Sequence, residues 1–161
     1  MGAGRLAKQT GVKMAEAKQF IESYFENYSS IKNYMDQCLE FAREHEYTET
    51  ILGRRRHLPE INGSNRMAIV SAENQAINSP VQGSAADVIK VAMINIDREM
   101  SKRKLKSKML LQIHDELVFE VLKDELDEVK SLVQNMMEQA VELSVPLKVQ
   151  VGVGNNWLEA H

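Results

Sequence analysis

Residues 110–121, LLQIHDELVFEV, constrain the fold more than any other stretch. Leu110, Leu111 and Ile113 precede a polar trio, and Leu117, Val118, Phe119 and Val121 follow it. Runs rich in branched and aromatic residues suit a pleated, half-buried surface. The trio at the centre is His114, Asp115 and Glu116. A carboxylate buried there without a partner would cost several kcal/mol. The trio must therefore lie at a turn, find partners, or be used. A two-residue connection between apolar strands makes a tight hairpin, so the pattern predicts strand–turn–strand about His114 and Asp115. Neighbours on extended backbone point to opposite faces, so at most one of Asp115 and Glu116 is a good metal ligand in a given geometry. Magnesium takes oxygen ligands and commonly binds one or two carboxylates together with substrate phosphates. A plain turn aspartate beside a solvated imidazole is the equally open alternative.

Helical spacing dominates the rest of the chain. A short first segment stops at Thr10-Gly11. Phe20, Ile21, Tyr24, Phe25 and Tyr28 predict a helix over 14–28, and Ile31, Tyr34, Met35, Cys38 and Phe41/Ala42 a second, with Ser29 or Ser30 as its N-cap. Residues 47–59 read as extended chain about a turn at Gly53, and residues 60–66 as loop. From Met67 to about Met100, Val81, Ala85, Val88, Ile89, Ala92, Met93 and Ile96 form one apolar stripe. Pro80 either starts a new helix there or kinks a single long one. A further amphipathic helix is predicted over 123–141, and the alternation of VPLKVQVGV predicts a closing strand. The order is a helical half, then β-hairpin, helix and strand, an α+β layout with a small antiparallel sheet.

The 161 residues suit one ordinary domain, and a net charge of −3 argues against a globally basic nucleic-acid module. Basic stretches are local, at 53–57 (GRRRH) and 101–108 (SKRKLKSK). A single cysteine, Cys38, precludes an intrachain disulfide framework and is compatible with a reducing compartment. No apolar run is long enough for a membrane span or a signal peptide, and MGAGRL lacks the Ser or Thr of a myristoylation pattern. These features predict an intracellular protein that uses no membrane.

Two further constellations carry chemistry. Asn74, Asn78 and Gln82 stand four residues apart and share one face if the helix continues through Pro80. Their amides suit the minor-groove N3 and O2 acceptors, a contact that checks duplex shape without reading sequence. A solvated polar face is the commoner meaning of such spacing. Gly83 allows close approach of a backbone or serves packing. Arg54, Arg55 and Arg56 on a turn suit phosphate oxygens, against the usual meaning of a solvated charge run.

Taken together, ETILGRRRHLPEI, ENQAINSPVQGSAADVIKVAM, LLQIHDELVFEV and the ending GNNWLEAH resemble the family A DNA polymerases, the bacterial DNA polymerase I group. The resemblance covers nearly the whole chain in order and spacing. It implies the C-terminal portion of a polymerase domain, with 1–66 as part of the fingers and 67–161 as part of the palm. It implies a DNA-directed DNA polymerase, acting in replication or repair in the cytoplasm at the nucleoid. Primer-template DNA and deoxynucleoside triphosphates are the implied partners, and two magnesium ions the implied cofactor. Asp115 would hold metal, Glu116 would be a secondary acidic group, and His114 would lie against the primer terminus. Asn78 and Gln82 match minor-groove positions, and Arg54 and Arg55 backbone contacts. Asn74 stands where the family usually has Arg, which leaves one minor-groove or phosphate contact open.

The family's upstream palm motif of the DYSQIE type, with the other essential Asp, is not in the sequence, nor is its fingers helix of the RxxxKxxxNFGxxYG type. MGAGRLAKQTG resembles the text that directly follows that helix. One carboxylate does not hold two divalent ions on a polyanionic substrate. The expectation is a chain inactive by itself, completed in cis or in trans by the missing N-terminal segment. The alternative is a duplex-binding or assembly module without chemistry. An independent metal hydrolase is the weakest reading, because His45, His57 and His161 are scattered without HxxxH or HxH spacing. The hairpin would be left with an exposed edge.

Overall fold

The computed structural model describes residues 2–160, so His161 lies outside the described residues. The elements are α1 (Ala3–Thr10), α2 (Met14–Asn27), α3 (Ser29–His45), β1 (Tyr47–Glu49), β2 (Arg55–His57), a 3₁₀ turn (Pro59–Asn62), α4 (Arg66–Arg103), β3 (Lys108–Ile113), β4 (Glu116–Glu120), α5 (Leu126–Glu138) and α6 (Trp157–Ala160). This is the α+β class expected. The described residues divide into two compact units, one of residues 2–49 and 55–79, the other of residues 50–54 and 80–160.

In the first unit, α1 stops where the sequence indicated. Gly11 takes φ +76° and its N–H bonds the Ala7 carbonyl at 2.9 Å, a left-handed cap that glycine adopts at least cost. Glu16 accepts the Lys13 N–H at 3.1 Å and so caps the start of α2. The cap of α3 differs from expectation: Tyr28 occupies it, and Ser29 is already helical. Ile31 and Tyr34 are exposed rather than inward. The core consists of Ala42, Leu58, Ile61, Ala72 and Ala76, with Leu39 against it. Ala42 of α3 and Ala72 and Ala76 of α4 are buried in this cluster together with Leu58 and Ile61. β1 and β2 pair antiparallel, Tyr47 with His57, Thr48 with Arg56 and Glu49 with Arg55. The 3₁₀ turn begun by Pro59 runs into the stretch 60–66 read as loop.

Helix α4 runs unbroken through Pro80, which selects the single long helix of the two readings. Proline has no N–H to give the carbonyl four residues back, a gap that usually breaks a helix. In the first unit, Thr48 on β1 turns its hydroxyl to that carbonyl, on Ala76, at 3.4 Å. In the second unit, the Ser84 hydroxyl bonds the Pro80 carbonyl, and its oxygen accepts the Ile51 N–H at 2.9 Å. The predicted apolar stripe is inward from Val88 onward, but Val81 and Ala85 are exposed.

The second unit builds its core from Ala92, Ile96 and Met100 of α4 and Val129, Leu132 and Val133 of α5. Met109, Leu117, Phe119 and Val121 of the β3–β4 hairpin pack against them. The pairing runs Ile113 with Glu116, Gln112 with Leu117 and Leu111 with Val118, then slips between Leu111 and Met109. Leu110 and Leu111 stay exposed. Glu125 ties the base of the hairpin, accepting the N–H groups of Lys106 and Ser107 and the Ser107 hydroxyl within 2.6–3.1 Å. Those donors, the Lys106 N–H first, hold its carboxyl below the usual range.

The predicted closing strand is corrected. Residues 145–153 keep the alternation, with Leu147, Val149 and Val151 half-buried and Lys148 and Gln150 exposed, yet they form no ladder among the described residues. A strand requires a neighbour for its backbone groups. Here Val149 uses side chains of α5 instead: Glu138 accepts its N–H at 3.0 Å, and Gln134 donates to its carbonyl at 3.4 Å. Among the described residues no helix is long and apolar enough to cross a membrane.

Candidate functional site

The polar trio sits at the tip of the β3–β4 hairpin. His114 and Asp115 form the two-residue turn, and Glu116 opens β4 opposite Ile113. Two-residue hairpin turns match strand twist when their first residue has positive φ. His114 supplies this at φ +54°, without glycine. Histidine is among the side chains that tolerate that region best. The Gln112 side-chain amide donates to the His114 carbonyl at 2.7 Å and braces the turn. His114 and Asp115 are exposed, whereas Glu116 is half-buried. With the Glu125 tie at the base and the core beneath, the hairpin offers Asp115 to solvent from a fixed support.

Asp115 suits one oxygen-ligand position for a hard divalent cation. Among the described residues no three His, Cys, Asp or Glu side chains gather around one point. The donors therefore fit a share of a metal centre rather than a whole one.

The amide series is exposed as its spacing implied: Asn74 and Asn78 in the first unit, and Gln82 in the second. Asn74 gives one amide proton to the Val70 carbonyl at 2.8 Å, which folds it back on its own helix. Gly83 serves packing, since a Cβ there would lie 2.6 Å from the Thr50 methyl.

The arginines separate. Arg55 pairs with Glu49 at 3.4 Å, its guanidinium 4.5 Å from the Tyr47 ring centroid. Arg56 is exposed and has no ion-pair partner among the described residues. Arg54 donates from Nε to Asp87 at 2.7 Å, although its own side chain is 63% exposed. Asp87 is only 2% exposed. Its other oxygen accepts the Thr50 hydroxyl at 2.6 Å. The Thr50 bond first, and then Arg54, hold the Asp87 carboxyl below its ordinary range, against the opposing effect of burial. The sequence reading passed over Asp87. Its available signal was a carboxylate one residue before Val88 and Ile89 on the apolar stripe, where an ionised group is rare unless paired.

The model of the DNA polymerase family A matches residues 1–159. DNA polymerase I of Lactococcus lactis subsp. lactis is 50% identical over 155 residues, which cover 96% of this chain and 18% of the relative. That of Mycobacterium leprae is 46% identical over 157 residues, 98% of this chain and 17% of the relative. A solved structure, the POL domain of Pol1 from M. smegmatis in complex with DNA primer-template and dNTP, matches with a TM-score of 0.96 and 46% identity over 99% of this chain and 28% of that one. The chain belongs to the DNA polymerase family A. It spans under a fifth of the length of these curated relatives.

Proposed function

We propose that this chain is the C-terminal part of a DNA-directed DNA polymerase, with residues 1–66 contributing to the fingers and 67–161 to the palm. The observation that carries the reading is the braced, exposed Asp115 at a hairpin tip, in a chain that matches a solved polymerase domain at a TM-score of 0.96. Asp115 would hold magnesium, with Glu116 as the secondary acidic group. When bound, such an ion supplies Lewis-acid stabilisation of phosphoryl oxygens.

The chain's own residues bind and orient. His114, fixed by its positive φ and by Gln112, rests against the terminal primer nucleotide. Asn78 and Gln82 donate to minor-groove acceptors of the new duplex. Arg54 and Arg55 contact backbone phosphates, and Asn74 makes a weaker contact than the family's usual arginine. Primer-template DNA and deoxynucleoside triphosphates are the partners, in the cytoplasm. Further acidic ligands come from the upstream polymerase segment, in cis or in trans, because no cluster of three metal-ligating side chains forms among the described residues.

Primer extension with magnesium and nucleotides tests this, run with the chain alone and mixed with a polypeptide bearing the upstream polymerase motifs. Activity in the mixture alone is expected. Activity of the chain alone would overturn the shared metal site. Duplex binding without extension in either arm would favour a non-catalytic module.

A further inference from the structure

The function proposed above leaves Asp87 without a role. A carboxylate 2% exposed, bonded to an arginine 63% exposed, is an unusual pair. For stability alone, replacing a buried ion pair by well-packed apolar residues is often neutral or better. The geometry offers another reason. Asp87 bonds Arg54 through Nε alone, not through the two-pronged Nη contact that arginine and carboxylate commonly make. Among the described residues, no acceptor meets the Nη groups of Arg54. With Nε committed to Asp87, the Nη pair is the part of the guanidinium fork available to bond phosphate oxygens.

The support around this contact is continuous. Thr50 gives its hydroxyl to Asp87 and accepts the Arg54 N–H at 3.1 Å. The Thr50 N–H bonds the Arg54 carbonyl at 2.9 Å. Ser84 holds the intervening Ile51 N–H. The Thr50–Arg54 turn is thus fastened to α4 at both ends of its side-chain network.

We propose that Asp87, steadied by Thr50, is a positioning residue that fixes the Arg54 guanidinium as a preorganised receptor for a backbone phosphodiester of duplex DNA. This rests on the duplex-binding part of the proposed function. A flexible arginine must lose rotamer freedom when it binds, and the Asp87 bond removes that cost beforehand.

The sign of one substitution separates positioning from charge. Asp87→Asn removes a negative charge next to Arg54. By charge alone, it should tighten binding to a polyanion. By positioning, it should weaken binding about fivefold, an estimate from the side-chain ordering cost, with the salt slope unchanged because the count of cations facing phosphate is unchanged. The experiment measures duplex affinity of the full chain across a salt series, at a temperature where circular dichroism shows wild type and variant equally folded. Arg54→Lys, at an exposed position, serves if Asp87→Asn does not fold. It keeps the charge, loses the fork, and should weaken binding to a similar extent at the same slope. Weaker binding with an unchanged slope supports the proposal. A wild type that binds duplex while Asp87→Asn, or in its stead Arg54→Lys, binds as tightly or more tightly overturns the positioning role alone. A wild type that does not bind duplex overturns the duplex-binding reading and this inference together.

Discussion

Among the described residues, two β-hairpins treat their tips in opposite ways. The connection from β1 to β2, Thr50–Arg54, is fastened by buried Asp87 and Ser84. The connection from β3 to β4 is two residues, His114 and Asp115, both exposed. The first hairpin is secured at its tip. The second is secured at its base by Glu125 and leaves its tip open to solvent. Each tip involves one aspartate, Asp87 of α4 holding the first and Asp115 lying in the turn of the second, and burial separates the two. Asp87 is enclosed and has both oxygens satisfied. Asp115 is open to whatever approaches. A carboxylate whose oxygens are already bonded is a poor ligand, so the hydrogen bonds of Asp87 leave it a structural role, whereas the exposure of Asp115 leaves the proposed ligand role open.

The contrast can be broken most sharply at Asp115. In the reconstituted polymerase, Asp115→Asn should lower the extension rate on the order of a thousandfold, since metal stabilisation of the reacting oxygens is worth several kcal/mol. Its melting temperature should stay within a degree or so, as for exposed substitutions in general. A large melting shift with extension intact would reverse the roles assigned to the two tips.

A middling effect is expected at Gly83, where the first hairpin meets α4. Alanine gains about 1 kcal/mol in helix propensity, but its Cβ would lie 2.6 Å from the Thr50 methyl. Overpacking costs about 1–3 kcal/mol. The net outcome should be destabilisation by about 1 kcal/mol, or about 3 °C in melting temperature. A stabilised Gly83→Ala in a thermal melt would mean that the hairpin does not press on the helix.

The smallest effect lies in acid. The Asp87 carboxyl is held below its ordinary range, so it stabilises the fold fully above about pH 3.9, where an unfolded aspartate ionises. That contribution fades below this value and is gone once the pH passes the folded pKa. Denaturant melts of wild type and Asp87→Asn should therefore converge as the pH falls below about 4 and stay parallel between pH 5 and 7. Convergence already at pH 6 would exclude Asp87 as the cause.

Much of this architecture was legible in the sequence because periodicity reports burial. Helices α1 to α5, the turns at Gly53 and His114–Asp115, and the exposed amide series follow from spacing. Three of the features that did not follow show why. The closing strand has its alternation but no partner, and alternation reports which faces are wet rather than what pairs with the edge. The cap at Tyr28 ignores two adjacent serines, since the fold around a helix start overrides cap preference. Asp87 escaped because its partners, Thr50 and Arg54, are 37 and 33 residues away, and spacing along one helix carries no trace of them.

The passage of α4 through Pro80 has a consequence in time. An ordinary helix lengthens by local steps, each turn offering its own next hydrogen bond. At Pro80 that chain of local steps is interrupted, and the hydroxyl that serves Ala76 comes from Thr48, 28 residues earlier. The longest helix of the chain is therefore not a local element. Its middle waits on a loop closing, so its completion belongs with the slow, sequence-distant events of folding rather than with the helix–coil transition its length suggests.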